Sequence, residues 1–148
     1  MSWKIFANHA PDLAEFGRQR FASEVAYLAT TRKDGSPRVH PVTPIVGGGS
    51  LFLFMEPTSP KGWDLKRDGR YALHASVENS AGEGGEFLVT GTARLVTDPD
   101  TRSIAVQHAS YQPAERYILF ELDVLTAFAT IYGVDGEPAR SRWKHPDN

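Results

Sequence analysis

The chain has 148 residues and a formal net charge of −2, so it has neither the basic field that a polyanion needs nor an acidic tail, which argues against nucleic acid as its main partner. The absence of cysteine excludes a disulfide framework, a thiol nucleophile and a thiolate metal site. The start Met1-Ser2-Trp3-Lys4-Ile5 has no apolar leader core and no run is long enough to span a membrane, so the expectation is one domain over residues 1–148, cytoplasmic and without membrane contact.

Residues Pro11 to Ala22 set Leu13, Phe16 and Phe21 among charged residues with Asp12 in the first turn, a pattern that predicts an amphipathic helix. Val25 to Thr31 reads as a strand, and Asp34-Gly35 signals a hairpin into a second strand, Arg38 to Val46. Pro37, Pro41 and Pro44 remove three backbone donors from that second run, which predicts an edge or bulged strand. Gly47-Gly48-Gly49-Ser50 turns the chain into Leu51 to Met55, and a short helix from Pro60 ends near Asp68 with Gly69 as its left-handed closing residue. Tyr71 to Val77 and Phe87 to Val96 form a further hairpin across the polar loop Asn79 to Gly85. Asp98-Pro99 opens a helix to about Ala109. In Tyr117 to Tyr132 the alternation of Phe120, Leu122 and Val124 favours one bent strand or two. Ala139 to His145 closes the chain with Arg140, Arg142 and Lys144 on one side and Trp143 on the other. About six strands joined mostly by hairpins, with few short helices, predict a mainly β protein, a closed or partly closed antiparallel barrel.

The chemistry concentrates at Thr58-Ser59-Pro60-Lys61. Ser59 suits the N-cap and Pro60 the first helical position, where a missing N–H costs nothing. Lys61 then places a cation where the helix dipole favours an anion, and Gly62 stands where a capping box would carry Glu. This arrangement suits a bound anion, phosphate above all; the bland reading of Lys61 is a solvated helix lysine. His40 reads equally as a surface histidine and His74 as structural, and neither has a second ligand at metal spacing, so no metal site is expected. Arg140, Arg142 and Lys144 can be a solvated basic edge, and Trp143 a plug for the barrel or for a subunit contact. Neither glycine cluster has the strand–helix context of a nucleotide loop, and no Gly-x-Ser-x-Gly nucleophile turn occurs.

Ala29-Thr30-Thr31-Arg32-Lys33-Asp34-Gly35-Ser36-Pro37, then Val39 to Val46, Ser59-Pro60-Lys61 with Asp64-Leu65, and Arg70-Tyr71-Ala72-Leu73 together resemble the pyridoxamine 5′-phosphate oxidase-like flavoproteins of the FMN-binding split-barrel fold, over about Phe21 to Trp143. The resemblance implies a homodimer with FMN at the subunit interface. It implies His40, Pro41, Val42 and Thr43 along the ring and ribityl chain, Phe54 and Met55 lining the next strand, and Ser59 and Lys61 on the phosphate. Glu86 then corresponds to a residue that reaches the neighbouring subunit's flavin, and Arg142-Trp143 to a C-terminal element near the ring.

Two departures bear on function. His40 and Ile45 stand where the oxidase proper has an arginine and a lysine, and Arg140-Ser141-Arg142 lacks the Arg-x-His pattern that grips pyridoxamine phosphate. The resemblance therefore implies a flavin-dependent oxidoreductase acting on another small molecule or accepting hydride from a reduced nicotinamide. The deazaflavin coenzyme F-420 as cofactor, and a non-catalytic flavin-storage module, remain open alternatives, and no catalytic acid or base is assigned.

Overall fold

The computed structural model describes residues 2–23, 25–133 and 137–148. Helices α1 (Ser2–His9) and α2 (Pro11–Ser23) precede strands β1 (Ala26–Thr31), β2 (Pro37–Val42), β3 (Ile45–Gly47) and β4 (Ser50–Met55). Then come α3 (Pro60–Arg67), β5 (Arg70–Ala75), β6 (Glu86–Leu95), α4 (Pro99–His108), β7 (Ile118–Tyr132) and β8 (Pro138–Lys144). The strands form one antiparallel sheet in the order β2-β1-β5-β6-β7-β4-β3, with β8 on the remaining stretch of β7.

The order forces the sheet to curl. Laid flat, the path from β2 to β3 would separate its edges by roughly 29 Å at the usual strand spacing. The link between those edges is only Thr43-Pro44, which reaches at most about 10 Å. The two edges therefore come side by side as an unpaired seam, and the sheet closes into a split barrel. This corrects the expectation of one strand from Arg38 to Val46: the prolines end β2 at Val42, and the chain crosses the seam before resuming as β3. With β8 added, the strands among the described residues number eight instead of about six.

Closure creates an inside. Ala26, Leu28, Leu53, Leu73, Phe87, Val89 and Leu122 share one core with Trp3, Phe6, Leu13 and Phe21 of the two N-terminal helices, each fully buried large side chain contributing about 1.5–3 kcal/mol. Helix α1 was absent from the sequence reading, yet it supplies buried Trp3 and Phe6, and Ser2 Oγ accepts from the Val124 N–H at 2.8 Å. A second cluster, Ile45, Phe52, Phe54 and Leu119, lies beneath Ala105 of α4. Strand β4 is buried at all six positions because both of its faces are covered.

Strand β7 is a single strand, bent where the β6 register slips between Thr90 and Gly91. A Cβ on Gly91 would lie 1.8 Å from the Asp123 carbonyl oxygen, so the bulge requires glycine. Gly69 differs from expectation. Helix α3 ends on extended Asp68, and Gly69 is needed because Ala93 donates to its carbonyl at 2.7 Å and would collide with a Cβ.

One carboxylate fastens α3 to the barrel. The Asp34 carboxylate accepts from the Ser36 N–H at 2.9 Å, and Gly35 takes φ 88°, so the turn sets Thr30 opposite Arg38. Asp64 of α3, 3% exposed, then accepts from Thr30 Oγ1 at 2.8 Å, Arg38 Nε at 2.7 Å and Arg67 Nη2 at 3.1 Å. Burial pushes its carboxyl up, but the hydrogen bonds from Arg38, Thr30 and Arg67 together outweigh that and hold it below the usual value.

Gly91→Ala should lower unfolding stability by about 3 kcal/mol in chemical denaturation; an unchanged midpoint would mean the bulge tolerates a side chain. Asp64→Asn should cost about 2 kcal/mol or more at neutral pH, because two guanidiniums lose their shared anion. Since the folded carboxyl titrates below the unfolded one, its contribution is present above the ordinary aspartate range and is lost as pH falls through the lowered folded value. The gap between Asp64→Asn and the parent should therefore narrow in acid denaturation series, and a pH-independent gap would contradict the assignment.

Candidate functional site

The predicted anion site lies at the start of α3. Ser59 occupies the N-cap position with extended backbone (φ −63°, ψ 131°), but its side chain makes no cap hydrogen bond, which corrects the capping role read from sequence. Its hydroxyl oxygen instead accepts from Lys61 Nζ at 2.9 Å. Among the described residues no carboxylate pairs with Lys61, and partial burial lowers its pKa. The pair thus presents a desolvated ammonium and a hydroxyl proton at the positive end of a helix, a donor set matched to a phosphate.

On β2, His40 and Pro41 are exposed, Val42 is buried in the core, and Thr43 is exposed in the seam link. The His40 Nδ1 lies 2.8 Å from the Pro41 carbonyl; a carbonyl only accepts, so Nδ1 donates and Nε2 takes no part in that bond. His74 repeats the arrangement with the Ala75 carbonyl at 2.6 Å. Asp64 and Arg38 join β2 to α3, which brings the Ser59–Lys61 pair and the β2 edge into one neighbourhood.

Met55 faces the main core and packs its sulfur under Gly62 of α3, so that a Cβ on Gly62 would lie 3.2 Å from it, next to the Ser59–Lys61 pair. The other predicted residues lie elsewhere. Phe54 is in the cluster beneath α4, with the Arg102 guanidinium 5.1 Å from its ring centre. Glu86, at the start of β6, accepts from the Tyr132 hydroxyl at 3.1 Å. On β8, Arg142 stacks over Phe128 at 5.4 Å, whereas Trp143 turns inward onto Phe6 at 5.0 Å. Between β2 and β8 lie five strand spacings through β1, or four through the seam, roughly 19–24 Å along the wall. Arg142 and the start of α3 are thus several strands apart around the barrel.

The outer wall joins these two groups. Register places Tyr27, Val39 and Pro41 on the same face as Ala72, His74, Leu88, Thr90, Thr126 and Phe128. Tyr27 is 47% and Val39 64% exposed. Sequence reasoning missed Arg38 and Arg67, which bind Asp64 and fasten α3 to the hairpin. The signals for them were the hairpin register, which pairs Thr30 with Arg38, and the three-residue spacing of Asp64 and Arg67.

Among the described residues no helix is long and apolar enough to cross a membrane, and no three His, Cys, Asp or Glu side chains gather as a metal site. No curated protein matches the chain in sequence. Its fold is similar to that of PhzG from Burkholderia lata 383, solved with tetrahydrophenazine-1-carboxylic acid (TM-score 0.64, 14% identity, 97% of this chain and 87% of that one). It is also similar to a NimC/NimA-family protein from Clostridium acetobutylicum (TM-score 0.64, 16% identity, 96% and 95%) and to a heme-binding protein from Mycobacterium smegmatis (TM-score 0.64, 16% identity, 85% of this chain). The chain spans 57% of the length of that heme-binding protein. The family model described as pyridoxamine 5′-phosphate oxidase matches residues 13–130, and with the split barrel in place the chain belongs to the pyridoxamine 5′-phosphate oxidase family.

Proposed function

We propose that the chain is an FMN-binding oxidoreductase that works as a homodimer on a small-molecule substrate, with a reduced nicotinamide as a source of hydride. The observation that carries this reading is the Ser59–Lys61 pair at the start of α3, an ammonium held by a hydroxyl with no carboxylate among the described residues paired to it. Ser59 and Lys61 would hold the phosphate, with His40 Nε2 and the Thr43 hydroxyl placed for the polar edge of the ring and the ribityl chain. Bound FMN supplies a ring that accepts and passes on a hydride. Pro41 offers no backbone donor, so the ring would meet a largely apolar strand edge there.

Exposure supports the dimer: the outer wall carrying Tyr27 and Val39 offers apolar area for contact with a second copy, from which Glu86 and Arg142 would approach the flavin. Packing two such walls would also exclude water from the ring. Ile45 is buried beneath α4, so no cation reaches the cofactor from that position. This supports a looser hold on FMN, and keeps coenzyme F-420 as the second reading.

Lys61→Ala should weaken FMN by about 10- to 100-fold, the worth of a charge-assisted contact, and riboflavin far less, in parallel fluorescence titrations. Equal weakening of both would make Lys61 structural and remove the phosphate assignment. Sedimentation velocity at micromolar concentration should give a dimer that Val39→Glu shifts toward monomer; a parent protein that is monomeric while holding flavin would contradict the shared site.

A further inference from the structure

A concave site lies on another face of α3. A groove of about 460 Å³ opens between that helix and the β1–β2 turn, lined by Arg32, Lys33, Arg38, Trp63, Asp64 and Arg67. Pro60 also borders it, but Lys61, one position on, does not. Four cations face two carboxylates, Asp34 and Asp64, and both acids are already engaged, Asp34 by Ser36 and Asp64 by Thr30, Arg38 and Arg67. Among the described residues no carboxylate lies within ion-pair distance of Arg32 or Lys33. Arg38 spends only its Nε on Asp64, so among the described residues its two Nη groups have no protein partner. The buried carboxylate thus fixes a guanidinium fork at the groove wall in advance of any ligand, the arrangement that favours a phosphate oxygen pair.

The groove also has a flat apolar element. Trp63 is 56% exposed, and Lys66 covers one side of its ring at 4.8 Å from the centre. An exposed indole beside a fixed guanidinium suits a ligand that is ring at one end and anion at the other, and the volume falls within the range of small-molecule sites.

We propose that this groove binds a phosphate ester of a planar heterocycle, a nucleoside monophosphate in its simplest form, at a site separate from that of Ser59 and Lys61. The phosphate lies against Arg38, Arg32 and Lys33, and the base stacks on Trp63. The proposal is independent of the flavin reading, because none of its residues is assigned to FMN.

Calorimetric titration of the full chain with AMP, adenosine and inorganic phosphate tests it. AMP should bind at least about tenfold more tightly than either fragment, since stacking and charge each contribute on the order of a factor of ten. Trp63→Ala should reduce AMP to the level of inorganic phosphate. Arg32→Glu combined with Lys33→Glu, both on an exposed turn and free of partners the fold needs, should weaken AMP by about tenfold or more with thermal unfolding unchanged. Lys61→Ala, which removes the cation assigned to FMN and lies outside the groove lining, should leave AMP binding unaltered. AMP binding no tighter than its fragments, affinity indifferent to the charge reversal, or loss of AMP binding in Lys61→Ala would each overturn the proposal, and that last loss would do so while leaving the flavin reading intact.

Discussion

The molecule is organised by the two-residue link Thr43-Pro44. Because it joins the two ends of the strand order, it leaves the sheet no option but to curl, and the remaining features follow from that closure. The interior becomes a core for α1 and α2. Strand β4 is trapped between that core and α4, buried throughout. At the link itself the prolines leave a seam without a ladder, so the β2 edge with His40, Pro41 and Thr43 is left open beside α3.

Helix α3 has its own fastening, and the energetic comparison is instructive. The exposed pairs Arg18–Glu15 and Arg70–Asp68 are close but contribute at most about 1 kcal/mol, as solvent-screened pairs do. Asp64, by contrast, is buried and accepts three hydrogen bonds from three elements, so breaking that junction leaves charges without partners. The same junction serves two faces of the helix. It holds the Ser59–Lys61 pair near the β2 edge on one, and it fixes Arg38 and Arg67 at the basic groove on the other.

The legible parts of the fold were those set by local chemistry. Helix α2 followed from its apolar spacing, the β1–β2 hairpin from Asp34-Gly35, and α4 from Asp98, whose carboxylate accepts from the Thr101 N–H at 2.8 Å. The alternation of Phe120, Leu122 and Val124 identified β7. What escaped was tertiary in origin. Helix α1 is too short to be stable alone and exists because Trp3 and Phe6 are buried by the barrel. The break between β2 and β3 is a property of closure, and Gly69 answers to Ala93 across the sheet. In the site, Ser59 and Lys61 could be read from helix-terminus physics, whereas the meeting of Arg38, Asp64 and Arg67 required the packed hairpin. The separation of Arg142 from Lys61 is likewise visible only in the strand order.

The proposed flavin site is the neighbourhood of β2 and the start of α3. The direct measurement is the visible absorption spectrum of the purified protein, reconstituted with FMN and gel-filtered, followed by the mass of the molecule released on denaturation. The two absorption bands of an oxidised flavin should co-elute with the protein, and the released mass should be that of FMN. A colourless protein after reconstitution, or a spectrum and released mass belonging to haem, would contradict it.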